Sequence, residues 1–265
     1  MMMETHKSIS ESFEDWLRRS LIEAGELLRP EVAKQILEQG AAAVGPLIRI
    51  LEDRALHEDP EGALAPIHAA GLLGDLRAHE AIPALLAALA DDDHRDCFAD
   101  EVVPSLIAMR SAALEPVLQA YAGSSDPYHR QDLASILCSL GVRDERIFTI
   151  LLEALERMPD TGAAFLSLYG DARALAPLHR TFDEFSLDSD LCPACVVMGG
   201  EIRAAIQRLG GSLSAEQERW YLRLSEGASA DVWPQSGRDG AAAQAKRKRR
   251  EARKQQKASR KRNRR

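Results

Sequence analysis

His68-Ala69-Ala70-Gly71-Leu72-Leu73-Gly74-Asp75-Leu76-Arg77-Ala78-His79-Glu80-Ala81-Ile82-Pro83-Ala84-Leu85-Leu86-Ala87-Ala88-Leu89 joins two apolar runs through a Gly-Asp turn. Its second half carries apolar residues at i, i+3, i+4 and i+7 (Ile82, Leu85, Leu86, Leu89), the spacing that puts four side chains on one helix face. The same face recurs on both sides. It is Val44/Leu47/Ile48/Leu51 upstream, and Leu114/Val117/Leu118/Tyr121, Ile147/Ile150/Leu151/Ala154 and Leu175/Leu178/His179/Phe182 downstream. The starts lie 38, 32, 33 and 28 residues apart, and of the twenty positions only His179 is not apolar. A face returning at near-constant spacing is the mark of a repeat protein.

Proline accompanies most copies near the start, at Pro46, Pro83, Pro116 and Pro177, where a missing N–H costs nothing; the fourth copy has Thr149 instead. Pro66 sits between two copies and could displace the first repeat boundary. Between the repeated helices run partners with faces such as Leu133/Ile136/Leu137/Leu140 and Val103/Leu106/Ile107. Several end at a glycine (Gly74, Gly141, Gly170), which is read here as the left-handed residue that stops a helix and reverses the chain. Each unit is then an antiparallel hairpin of about 33 residues that buries its apolar faces only by stacking on its neighbours. The expected fold is all-α, an α-solenoid of stacked helical hairpins.

The segment from His68 to Leu86 resembles the HEAT-like repeat of the phycobilisome-lyase type, with its Leu-Gly-Asp turn and following Pro-x-Leu. Tyr169-Gly170-Asp171-Ala172-Arg173-Ala174-Leu175-Ala176-Pro177-Leu178 is similar to a second copy, and Leu140-Gly141-Val142-Arg143-Asp144 to a degraded one. The resemblance covers roughly residues 40–185. It implies a binding scaffold, the commonest role of such repeats, although bilin lyases are among the members. The repeat motif brings no catalytic residue with it.

Composition agrees with helices. The chain has 265 residues, 45% of them apolar, but only 13 aromatics (3 Trp, 4 Tyr, 6 Phe), which disfavours an all-β enzyme. No run approaches the ~18 apolar residues of a membrane span, and Met1-Met2-Met3-Glu4-Thr5-His6-Lys7 lacks a signal peptide's apolar segment. Four scattered cysteines, Cys97, Cys138, Cys192 and Cys195, suit a reducing compartment. A cytoplasmic protein is expected, or a nuclear one if the source is eukaryotic.

The net charge of −7 averages two opposite regions. Residues 246–265 hold thirteen cations against Glu251 alone: Lys246, Arg247, Lys248, Arg249, Arg250, Arg253, Lys254, Lys257, Arg260, Lys261, Arg262, Arg264 and Arg265. Removing these from the chain's 34 basic and 41 acidic residues leaves 21 and 40, a body of charge −19. Such a block buries too little surface to fold alone, and its expected ligand is a polyanion, nucleic acid or ribonucleoprotein, bound without reading bases. An acidic protein surface, including the chain's own body, is the competing target; a membrane is disfavoured because the tail has no apolar residues to insert. The expected organisation is N-terminal capping helices (1–39), HEAT-like repeats (40–185), C-terminal capping helices (186–226), a linker (227–245) and the basic tail (246–265). The faces Phe13/Trp16/Leu17/Leu21, Val32/Ile36 and Ile202/Ala205/Ile206/Leu209 mark the caps, with a capping box at Ser214-x-x-Gln217.

Chemistry is less legible. Cys192-Pro193-Ala194-Cys195 is the only CxxC and precedes a predicted helix, whose dipole would lower a thiol pKa. A redox pair normally follows a strand, and zinc needs two more ligands, for which Cys138, His129 and His179 lie at no recognised spacing, so a structural role is preferred. No cofactor is expected, and no catalytic residue is assigned. His57, His68, His79 and His94 are read as surface or interface residues, and Asp91-Asp92-Asp93 as a solvated turn rather than a cation site. Asp75/Arg77, Arg143/Asp144 and Asp171/Arg173 recur at the turns, either as a polar ladder lining a partner surface or as ion pairs fixing the stacking, the second being preferred. The functional expectation is a non-enzymatic scaffold for a protein partner. The alternative is a lyase or maturation factor acting on a protein-bound cofactor.

Overall fold

A computed structural model of the chain describes residues 12–91, 95–188 and 193–227. Asp92, Asp93 and His94, Cys192, most of the linker and the whole basic tail lie outside the described residues. Among the described residues the fold is all-helical, with fourteen α-helices, three short 3-10 turns and no strand. Contacts divide it into two compact units, parting between Pro177 and Leu178.

The five repeated faces fall on helices α3 (Ala41–Glu52), α6 (Ile82–Ala90), α8 (Leu114–Gly123), α10 (Glu145–Arg157) and α12 (Leu175–Asp188). The deepest line on four of them starts one residue before the expected face. Ala43, Ala81, Ala113 and Ala174 are fully buried, each four residues before the equally buried Leu47, Leu85, Val117 and Leu178. Alanine at that place lets another helix approach, and each fully buried leucine contributes about 2 kcal/mol. Three of the four alanines close a 3-10 turn, at His79–Ala81, Arg110–Ala113 and Ala172–Ala174. The exception is α10: it starts directly on an Asp144 cap and carries Arg146 where the others carry alanine.

In the first unit, α1 (Phe13–Glu23) and α2 (Pro30–Leu37) precede α3, and the short α4 (Arg54–Glu58) follows it. The partner helices are α5 (Ala65–Asp75), α7 (Arg95–Ala108), α9 (Pro127–Ser139) and α11 (Pro159–Tyr169). Neighbours touch in sequence: α3 on α5, α5 on α7, α7 on α9 and α9 on α11, while α3 also meets α6 and α6 meets α8. Helices α1 and α2 both contact α5, and α10 packs against α9 and α11. Pro66, ambiguous in sequence, lies in the first turn of α5. On α7 the buried stripe is Phe98/Val102/Leu106, continued by Met109 just after the helix, whereas Val103 and Ile107 are only half-buried. That register differs by one residue from the expected face because α7 is packed by α5, α6 and α9 together.

The glycine reading holds at two turns and fails at the third. Gly141 and Gly170 have φ of 72° and 73°, the left-handed conformation. Gly74 instead lies inside α5 and is buried. A Cβ there would overlap the side chain and Cα of Ser105 on α7, so the glycine serves helix contact. The left-handed residue of that turn is Arg77 (φ 49°), and the Ala78 amide donates to the Leu73 carbonyl at 3.0 Å in a Schellman closure. Gly162 plays the same contact role as Gly74, against the backbone of Leu155.

The second unit contains the rest of α12, α13 (Pro193–Arg208) and α14 (Ala215–Gly227). Ile202, Ala205 and Ile206 are fully buried, and the Phe182 and Trp220 rings meet edge to face at 5.3 Å. Both bonds of the capping box are present: the Gln217 amide donates to Ser214 Oγ (3.2 Å) and the Ser214 amide to Gln217 Oε1 (2.9 Å). The same Oε1 lies 3.0 Å from His179 Nδ1, and Gln217 Nε2 donates to Asp183 Oδ1 at 2.7 Å, which fastens α14 to α12.

Candidate functional site

The turn ladder is the one predicted group that lies wholly within the described residues. Asp144 caps α10 by accepting from the Arg146 amide at 2.8 Å, and Asp171 accepts in the same way from the Arg173 amide at 2.9 Å. Each aspartate then takes the guanidinium two residues on, at 2.7 Å for both Arg146 and Arg173. These arginines reach further. Arg146 makes a forked contact with Glu115 (2.5 and 3.0 Å), and Arg173 makes one with Glu145 (2.9 and 3.0 Å). Each guanidinium therefore ties a turn to the preceding repeated helix through two carboxylates.

The electrostatics follow the geometry. Arg146 holds the carboxyls of Asp144 and Glu115 below the ordinary carboxylate range, and Arg173 does so for Asp171. Both arginines are raised in turn, Arg146 by Asp144 and Glu115, Arg173 by Asp171 and Glu145. Arg173 also stands over the Phe148 ring at 4.5 Å. A related tie joins α1 and α3, where Arg49 forks onto Glu14 (2.9 and 2.7 Å) and Arg18 meets Asp53 at 2.6 Å.

Arg143 does not pair with Asp144. It donates to the Gly170 carbonyl at 3.1 Å and lies 4.8 Å from the centre of the Tyr169 ring. The partner of Asp144 is Arg146, which the sequence reading missed. An Asp-x-Arg spacing shared by 75/77, 144/146 and 171/173 was the available signal. At the first of these turns the pairing is absent: Asp75 and Arg77 are both exposed and no ion pair joins them. Asp75 instead faces Glu101 on α7, whose carboxyl is pushed up by loss of surrounding water and then by Asp75, against the opposing pull of His68.

Of the four cysteines, Cys138 alone has its side chain among the described residues. Cys138 is buried and its thiol is pushed up to about 11 by burial, so at neutral pH it is protonated and unreactive. Cys192 and the side chain of Cys195 lie outside the described residues, as do all thirteen tail cations. His57 lies 2.9 Å from the Leu51 carbonyl and stacks obliquely on Phe98, and His68 lies 2.9 Å from the Gly25 carbonyl, so both serve packing between helices. Among the described residues no three His, Cys, Asp or Glu side chains gather as metal ligands would, and no helix is long and apolar enough to cross a membrane. No protein-family model matches the chain, and no curated protein is similar to it in sequence.

Proposed function

We propose that the chain is an α-solenoid of HEAT-like repeats acting as a non-enzymatic scaffold, which holds a protein partner on its helical surface and approaches polyanions through the basic tail at 246–265. The observation that supports this reading is the succession of contacts in the first unit, where α3, α5, α7, α9 and α11 each touch the next and a second row begins with α3, α6 and α8. Such an array makes every helical pair depend on its neighbours and leaves a long row of helix surfaces for a partner. Within this reading Arg146 and Arg173 fix stacking, since each is already held by two carboxylates of the chain.

The tail assignment rests on its thirteen cations, beside a body of opposite sign. Its test compares duplex DNA and RNA binding by the full chain and by a chain ending at Ala245 across a salt series. The full chain should bind with a steep salt slope, about −0.9 for each phosphate neutralised, and the shortened chain should lose most of that affinity. Equal affinities would remove the tail's role. Affinity capture with the full chain as bait, repeated with the shortened chain, separates partners of the helical surface from those of the tail.

A further inference from the structure

A cleft of about 220 Å³ opens in the first unit where α8, α9, α10 and α11 converge. Its walls are apolar, formed by Tyr121, Ala134, Ala154, Met158 and Phe165. Two arginines break that surface. Arg130 rises from α9 with its guanidinium 4.2 Å from the centre of the Tyr121 ring. One terminal nitrogen sits 3.6 Å from a carboxylate oxygen of Glu153, a loose contact, and its Nε is buried with no hydrogen-bond partner in the protein. Arg157, in the last turn of α10, is exposed at the cleft and meets no carboxylate among the described residues.

Three other arginines of this stretch are fully engaged. Arg146 and Arg173 each hold two carboxylates, and Arg143 holds a carbonyl and a ring. At the cleft, by contrast, a terminal nitrogen of Arg130 has only the loose Glu153 contact and Arg157 holds no carboxylate, so both guanidinium ends can take an incoming anion. Guanidinium forks take carboxylates and phosphates alike, while apolar walls select a ring or short chain beneath the charged end. Besides the arginines, only Gln131 and the Tyr121 hydroxyl add polar atoms to the lining. Two carboxylate oxygens can be matched by Arg130 and Arg157, whereas a phosphoryl group would bring a third oxygen and a second charge into an apolar setting. The volume is below the 300–1,000 Å³ usual for drug-sized ligands, which sets the occupant at roughly ten to fifteen non-hydrogen atoms.

We infer that this cleft is a binding site for a small amphipathic carboxylate, an aryl- or alkyl-carboxylic acid whose charged end is taken by Arg130 and Arg157 and whose body lies against Tyr121, Met158 and Phe165. This site is independent of the scaffold reading and of the tail.

Isothermal titration of the full chain with 3-phenylpropionate, indole-3-acetate and octanoate tests it, with 3-phenylpropionamide and inorganic phosphate as controls. At least one of the three carboxylates should bind one to one. The matched amide should bind about tenfold more weakly or worse, as expected for loss of a charge-assisted pair, and phosphate should not compete. Arg157→Gln, at an exposed residue with no partner to lose, should weaken carboxylate binding about tenfold while leaving the helical circular dichroism unchanged. Arg130→Lys, which keeps the charge and replaces the planar fork by a single ammonium, should weaken it as well; if that variant loses helical signal, the Arg157→Gln series decides. No saturable binding of any carboxylate, an amide bound as tightly as its acid, competition by phosphate, or an Arg157→Gln protein that binds like the parent would each overturn the assignment.

Discussion

Leu73-Gly74-Asp75-Leu76-Arg77 and Tyr169-Gly170-Asp171-Ala172-Arg173 are near-copies in sequence, each ending a partner helix and leading to a repeated one. At the second, Gly170 takes the left-handed conformation, Asp171 caps the next turn, and Arg173 binds both Asp171 and Glu145. At the first, Ser105 of α7 lies so close to Gly74 that the glycine is kept inside α5, the reversal is displaced to Arg77, and Asp75 is left facing Glu101. The difference shows that a turn motif is read jointly with whatever packs against it. The same glycine serves as a hinge where space is open and as a contact surface where a neighbour presses in.

Alanine substitution separates the two roles, and its effect should be largest at the first turn. Gly74→Ala drives a Cβ into Ser105 backbone and should cost about 3 kcal/mol, the upper end for overpacking, as read by urea denaturation. Gly170→Ala meets no such obstacle; it only forces an L-residue to φ 73° and should cost about 1–2 kcal/mol. Reversed magnitudes would break the distinction. At Arg77 the sign inverts: Arg77→Gly relieves a left-handed non-glycine residue that holds no ion pair, and a gain of up to about 1 kcal/mol is expected.

The two turns should also answer acid in opposite senses. The Asp171 carboxyl is held below its unfolded value by Arg173, so its contribution is complete above the unfolded range near pH 4 and is lost as pH falls through the lower folded value. Asp171→Asn keeps a capping oxygen but should be less stable than the parent at neutral pH, with the gap closing in acid and narrowing in high salt because the pair is exposed. Glu101 is shifted the other way. Its ionised form is disfavoured in the folded chain, so Glu101→Gln should be the more stable protein at neutral pH, and the advantage should vanish below about pH 4, where both folded and unfolded forms carry the proton. This is the smallest of the effects, and denaturant midpoints measured from pH 3 to 7 would register both trends.

Much of the helical framework was legible because the 3.6-residue period is a local signal: all five repeated faces coincide with helices, and so do the two N-terminal faces and the capping box. What escaped is non-local. The fully buried alanines at 43, 81, 113 and 174 look unremarkable in sequence, because alanine suits helix surfaces and interiors alike. The role of Gly74 depended on Ser105, thirty-one residues away in the chain, and the α7 stripe on three helices packing at once. Among the ladder residues, Asp171 and Arg173 were found together, but Asp144 was matched to its neighbour Arg143 although the stronger partner stood two positions on, at Arg146. The Tyr121–Arg130–Arg157 cleft left no trace in the sequence, since its walls come from four helices whose residues are individually ordinary.

One amide side chain has a mechanical consequence. Gln217 completes the cap of α14 with the same oxygen that faces His179, and its nitrogen reaches Asp183. Peeling α14 away breaks the His179 and Asp183 contacts but leaves the cap intact, because its donor and acceptor both travel with α14. Hydrogen exchange at the Ser214 amide and the Trp220 indole's passage into water should therefore report two separate openings, fraying of the cap and release of the whole helix.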